Sequence, residues 1–262
     1  MERKIPSFDV VGRSYDDVRY VRQPIPLLAQ VAEFRLGQRV LDIACGTGWM
    51  TLEALKGVGS TGYVVGIDLS NVLIEIARDK LIGGRFGNFE LAVMDGQSLD
   101  FEDGCFDLVT CASALTAFPD IQASLEEWKR VLKPGGRVAF SSWGMGFRVP
   151  HIANLIECIN QISPGPAFVS VIQNLDSTRK CEGFLSGAGF ADISVVETDR
   201  NYSHNSFESY WREATSDLVK WRLNKLTVED QEKVRSLHQA QFLPGEITVK
   251  VPVIISTGVK LG

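Results

Sequence analysis

The residues Val40-Leu41-Asp42-Ile43-Ala44-Cys45-Gly46-Thr47-Gly48 carry the densest chemistry in the chain. An apolar run leads into a loop of small residues. Gly46 and Gly48 let a ligand approach the backbone closely. The loop and the helix that follows it offer N–H groups to an anionic group. Twenty positions beyond Gly48, at the end of the next apolar run, stands Asp68. A carboxylate there can accept from both hydroxyls of a ribose. Together these features point to a nucleoside-containing cofactor. A dinucleotide loop requires a third glycine, G-x-G-x-x-G, and the position counted from Gly46 is Thr51. A second reading remains open, because glycines after a strand also make plain turns, and Asp95-Gly96 can be one.

The elements that position these residues alternate strand and helix from about residue 38 to about residue 143. Val40–Ile43 reads as the first strand and Gly46 to about Lys56 as a helix. Tyr63–Ile67 is the second strand. Ser70 can cap the next helix, whose apolar face is Leu73, Ile74, Ile76 and Ala77. Phe89–Val93 and Phe106–Cys111 follow as strands. A helix marked by Leu125, Trp128, Val131 and Leu132 stops at Pro134-Gly135-Gly136, and Val138 opens the fifth strand. This alternation, with strands apolar throughout, predicts a parallel sheet covered on both faces. Pro24–Phe34 reads as one more helix before the core. Beyond it the pattern predicts helices over Ile152–Ile162 (ended by Pro164-Gly165-Pro166) and Ser177–Ala188, and a strand over Ile193–Glu197. Mainly helical residues follow from Ser206 to Gln241, and a last strand from Val251 to Val259. Ligands of such sheets bind beyond the carboxyl ends of the strands. Segments 144–175 and 200–250 start at that edge and are read as a helical lid. The whole chain, 1–262, is read as one domain, with its cofactor-binding core at 24–143.

The composition bounds the function. The chain has 262 residues, 45% hydrophobic and 23% charged, which excludes disorder as the main state. Its net charge of −5 makes it a poor grip for a phosphate backbone, so no nucleic-acid partner is expected. The N-terminus has no apolar signal region, and no run approaches the roughly 20 apolar residues of a membrane span. The cysteines, Cys45, Cys105, Cys111, Cys158 and Cys181, are odd in number and form no C-x-x-C pair. No disulfide framework and no metal site is expected, and the setting is read as cytoplasmic.

Asp42, then Ala44, Gly46 and Gly48 at alternate positions, resembles the first motif of class I S-adenosylmethionine-dependent methyltransferases, D/E-x-G-x-G-x-G, with Ala44 in place of the first glycine. The resemblance continues through Val64–Ser70, Val93-Met94-Asp95-Gly96, Phe106–Thr110 and Arg130–Gly136, in order, over residues 38–143. Within that class the chain resembles small-molecule methyltransferases of the ubiquinone/menaquinone type. The resemblance implies S-adenosyl-L-methionine as cofactor and a doubly wound α/β fold: a seven-stranded, mostly parallel sheet of order 3-2-1-4-5-7-6, the last strand antiparallel. It implies that Asp42 and the loop Ala44, Cys45, Gly46 and Gly48 hold the methionine end. Asp68 would bind the ribose, with Leu69 packed on the adenine. Asp95 would accept from the adenine amino group, and Gly96 N–H would donate to the ring. Cys111, Ala112 and Ser113 would line the methionine side. Tyr15 would border the site from an N-terminal segment, unless it is a helix-packing tyrosine.

Methyl transfer from a sulfonium is an in-line displacement, and it needs a base only when the acceptor must lose a proton. All three histidines, His151, His204 and His238, fall in the lid segments; His151 and His204 are the candidate bases, against surface or capping roles. Trp143, Phe147, Trp211 and Trp221 can wall an apolar pocket. Trp211 and Trp221 can equally form, with Leu218 and Leu223, the buried stripe of a helix. The expected partner is a small, fairly apolar methyl acceptor. The alternatives are a binding module without turnover, methylation of a macromolecule, and a nicotinamide-dependent oxidoreductase. The missing third glycine weighs against the last. The absence of a Pro-Pro pair after Cys111 weighs against methylation of DNA-base amino groups.

Overall fold

The computed structural model describes residue 9 and residues 12–165, 174–216, 219–243 and 245–262. Pro166, Leu218 and the 166–173 part of the first lid segment lie outside the described residues. In chain order the elements begin with α1 (Arg19–Arg22), α2 (Ile25–Ala32), β1 (Arg39–Ile43), α3 (Trp49–Val58), β2 (Tyr63–Asp68), α4 (Asn71–Gly83) and β3 (Phe89–Val93). There follow β4 (Phe106–Ala112), α5 (Ile121–Val131), β5 (Leu132–Trp143), α6 (His151–Ile162), α7 (Thr178–Gly187) and β6 (Ala191–Asp199). The chain ends with β7 (Tyr202–His204), α8 (Phe207–Ala214), α9 (Val219–Leu223), α10 (Val228–Gln239), β8 (Ile247–Val249) and β9 (Pro252–Val259).

Seven strands form one sheet of order β3-β2-β1-β4-β5-β9-β6, with β9 antiparallel to both its neighbours. This is the expected order. The last strand is the ninth only because β7 and β8 form a separate antiparallel ribbon, Tyr202 opposite Val249 and His204 opposite Ile247. At three residues each, these strands are too short to show a period in the sequence.

Alternation along each strand builds two cores. Val40, Val64, Leu108, Ala139 and Val253 face α2, α3 and α4. Leu41, Val65, Val109, Val138 and Ile254 face α5 and α7. Both faces are therefore dry, which is why the central strands are mostly apolar, with Asp42 and Thr110 as buried polar exceptions near the ligand edge.

The helix ends follow their side chains. Ser70 Oγ accepts from Leu73 N–H at 3.2 Å to start α4, and Asp120 Oδ1 from Ala123 N–H at 2.9 Å to start α5. The helix α5 stops at Val131, because Leu132 is already extended and paired with Phe106. Strand β5 thus begins before Pro134 and not at Val138, with a register shift between Phe106 and Leu108. The helical tract from Ser206 to Gln241 is divided into α8, α9 and α10.

One contact joins the second core to the ligand edge. Trp128, fully buried in α5, donates its indole N–H to Gly96 O at 2.8 Å. Trp128→Phe leaves that carbonyl without its donor. The expected loss is about 1–3 kcal/mol in urea unfolding, with the slope of the transition unchanged.

Candidate functional site

A cavity of about 420 Å³ opens at the carboxyl ends of β1 to β4. Each strand contributes in turn: Ala44 and Gly46 after β1, Asp68 at the end of β2, Asp95 and Gly96 after β3, Ala112 and Ser113 after β4. The sheet order places these groups in the row β3-β2-β1-β4. Three interstrand steps cover about 14 Å, the span of an extended nucleoside joined to an amino-acid tail.

The loop after β1 turns on three left-handed residues: Ala44 (φ 52°), Gly46 (φ 55°) and Gly48 (φ 83°). At Gly48 a Cβ would stand 3.0 Å from Ala77 Cβ, so glycine lets α3 start against α4. Asp68 holds the loop in place. Its Oδ2 accepts from Gly46 N–H at 2.9 Å and its Oδ1 from Ser70 N–H at 2.9 Å. Cys45 N–H donates to Ile67 O, and Gly48 N–H to Cys45 O, each at 2.9 Å. The expectation of open N–H groups for an anion therefore fails at Cys45, Gly46 and Gly48. This loop is not a phosphate cradle.

The electrostatics suit a cation. Burial pushes the Asp68 carboxyl above its ordinary value, and the two N–H donors pull it back. Asp42 lies fully buried, accepting from Thr51 Oγ1 at 2.6 Å and Thr110 Oγ1 at 2.9 Å. Burial pushes its carboxyl up to about 6, against those two bonds, and the Asp68 charge adds to the rise.

An N-terminal strap closes one side. Tyr15 lines the cavity beside Gly46. Asp16 Oδ1 accepts from Thr47 Oγ1 at 2.5 Å and Trp49 Nε1 at 2.8 Å, and Asp16 Oδ2 pairs with Lys80 at 3.0 Å. Ser70 Oγ donates to Asp9. Burial works against the charge of Asp16, but its donors hold it below the ordinary carboxylate value.

The structure brings Tyr15, Ala44, Gly46, Asp68, Leu69, Asp95, Gly96 and Ala112 together around the cavity. It does not bring Asp42, Cys45, Gly48 or Cys111 to the lining. Asp42 and Cys111 are fully buried beneath it, and Cys45 is held by its backbone bonds. Burial raises both thiols above their ordinary value. His151 and His204 lie in a second, small pocket of about 10 Å³, room for one water at most. There His204 Nε2 stands 3.2 Å from Glu213, and His151 Nε2 donates to Thr248 O at 3.0 Å. Burial opposes the Glu213 charge, but His204, Tyr202 and Arg19 hold its carboxyl down at about 2. His238 is fully buried against Tyr210, and burial pushes it down to about 4. Both histidines read as bases thus belong to the packing of β7, β8, α6 and α8. Sequence reasoning missed Leu73, Met94, Gln97, Ala114, Ala117, Phe118 and Pro119, all in the lining. Leu73 sits in α4, and the place of the others after β3 and β4 follows from topology, but their types carry no signal.

Residues 40–136 match the family described as a methyltransferase domain. That match spans a little over a third of the chain, from β1 to the start of β5. Over 104 residues the chain is 44% identical to a demethylmenaquinone methyltransferase of Staphylococcus aureus, a match covering 40% of this chain and 42% of that protein. The chain resembles two solved structures in fold. The YcgJ protein of Bacillus subtilis is 22% identical, with a TM-score of 0.61 over 92% of this chain and 99% of that one. The phosphoethanolamine N-methyltransferase 2 of Haemonchus contortus, solved with S-adenosyl-L-methionine, is 20% identical, with a TM-score of 0.60 over 100% of this chain and 62% of that one. No helix among the described residues is long and apolar enough to cross a membrane.

The burial of Asp42 has a signed consequence for pH. Its folded value of about 6 lies above the ordinary 3.8, so the folded state takes up a proton first as pH falls. Asp42 therefore costs stability as pH rises from about 4 to about 6, on the order of 3 kcal/mol once fully ionised. Glu213 acts in the opposite sense, and only below its ordinary 4.5. His238, pushed down to about 4, raises stability over the same window, so the Asp42 contribution is read as a difference: unfolding at a series of pH values should show Asp42→Asn gaining stability relative to wild type as pH rises from 4.5 to 6.

Proposed function

We propose that the chain transfers a methyl group from S-adenosylmethionine to a small, fairly apolar acceptor, releasing S-adenosylhomocysteine. The observation that carries this reading is the row of Asp95, Asp68, Gly46 and Ser113 along the ends of β3, β2, β1 and β4. When bound, the cofactor supplies a methyl group on a positively charged sulfur that is already a good leaving group.

The chain's own part is to bind, align and exclude water. Asp68 spends one lone pair of each oxygen on Gly46 and Ser70, and about two remain for ribose hydroxyls. Asp95 would face the adenine edge, next to Gly96. A Cβ at Gly96 would stand 2.6 Å from Ile43 Cγ2, so only glycine lets this backbone close on β1. The buried pair Asp42 and Asp68 favours the positive end of the ligand. The walls beyond β4, Ala112, Ala114, Ala117, Phe118 and Pro119, suit an apolar ring. A quinone-type acceptor agrees with the name of the Staphylococcus relative. Lid residues from 144–175 and 200–250 would complete the acceptor site, within one domain. Five cysteines without a disulfide among them suit the cytoplasm.

Calorimetric titration with S-adenosylmethionine and S-adenosylhomocysteine, with NAD as control, tests the reading. Both sulfur ligands should bind and NAD should not. Asp68→Ala should weaken binding by about 100-fold, the loss of two charge-assisted hydrogen bonds. Binding of NAD alone would contradict the reading.

A further inference from the structure

The loop after β4 brings one polar side chain into an otherwise apolar stretch of wall. Ser113 lines the cavity between Ala112 and Ala114, with Ala117, Phe118 and Pro119 beyond. Its φ is 61°, in the left-handed region that L side chains rarely adopt. A glycine would take this turn freely. The serine keeps a hydroxyl there.

That hydroxyl is held in place. Ser113 N–H donates to Ser141 O at 3.1 Å, and the two Oγ atoms stand 3.0 Å apart. Ser141, in β5, is fully buried. Among the described residues, Ser113 Oγ is the one partner within hydrogen-bond distance of Ser141 Oγ. A buried hydroxyl donates where a partner is within reach. Ser141 therefore donates and Ser113 accepts, which leaves the Ser113 proton for the cavity side.

The place along the row says what meets that proton. Asp95 and Asp68 occupy the β3 and β2 end, and Ser113 the β4 end, on the far side of the β1 loop. On the methyltransferase reading, on which this inference rests, the β4 end is where the acceptor arrives.

We infer that Ser113 selects acceptors that bear an oxygen lone pair beside the methylated atom, such as a quinone or ketone carbonyl or a phenolate, with Ser141 as its positioning residue. An apolar molecule with no such oxygen would fill the same walls but leave the Ser113 proton unpaired, and would be held less well.

The test measures binding to the full chain saturated with S-adenosylhomocysteine. The probes are α-tetralone, whose carbonyl only accepts, and tetralin, the same ring system without the oxygen. Two variants remove the hydroxyl: Ser113→Ala, and Ser113→Gly, which also relieves the left-handed backbone. Both should bind α-tetralone about tenfold more weakly than wild type while tetralin stays within about twofold, each measured at an S-adenosylhomocysteine concentration that saturates the variant in hand. Ser141→Ala should lie between them and wild type for α-tetralone. Unfolding midpoints of the Ser113→Gly variant should not fall, which separates lost recognition from lost structure. Unchanged α-tetralone affinity in both Ser113 variants would overturn the inference, as would equal weakening of both probes or no α-tetralone binding to wild type. Failure of S-adenosylhomocysteine to bind wild type would instead overturn the methyltransferase reading, and the inference with it.

Discussion

The carboxylate of Asp68 is the joint on which the site is built. One oxygen holds Gly46 N–H and the other Ser70 N–H, so a single side chain fastens the loop after β1 to the start of α4. Burying a carboxylate is costly unless donors surround it. The fold supplies backbone donors to Asp68, and Thr51 and Thr110 to Asp42 beneath it. The Asp68 charge is close enough to raise the protonation of Asp42. Negative potential is thus stored at the centre of the sheet's ligand edge, where a cationic group offsets it.

The same joint links the site to the N-terminal strap and, through it, to the β7–β8 ribbon. Ser70, bonded through its N–H to Asp68, gives its hydroxyl to Asp9 in the N-terminal strap. Asp16 ties the strap to Thr47 in the glycine loop. A few residues on, Arg19 donates from both its backbone N–H and its guanidinium to Glu213 in α8, at 3.0 and 3.1 Å. Glu213 also receives Tyr202 and pairs with His204, so the strap is joined to the β7–β8 ribbon. The histidines near the lid act here as parts of a buried polar joint. Loop, strap and the β7–β8 ribbon are thus joined by a chain of polar contacts.

Much of this was legible in the residues, for physical reasons. Doubly covered strands are mostly apolar, so β1, β2 and β4 were visible as runs. The motif order placed the sheet strands correctly, including the antiparallel insertion of Val251–Val259 between the fifth and sixth. The cavity-lining roles of Ala44, Gly46, Asp68, Asp95 and Gly96 depend on turns and strand ends, which local sequence dictates. What was not legible depends on distant contacts. No local pattern shows that Gly46 N–H is taken by Asp68, that Asp42 lies beneath the lining, or that His204 faces Glu213. The three-residue strands β7 and β8 pair across more than forty residues and have no period of their own.

The most direct measurement is a crystal structure of the full chain with S-adenosylhomocysteine. The account predicts the purine beside Asp95 and Gly96, both ribose hydroxyls within hydrogen-bond distance of the Asp68 carboxylate, and the sulfur between the Ala44–Gly46 loop and Ser113. A ligand lying in the reverse sense along β3-β2-β1-β4, or one whose ribose leaves Asp68 bonded only to Gly46 and Ser70, would contradict it.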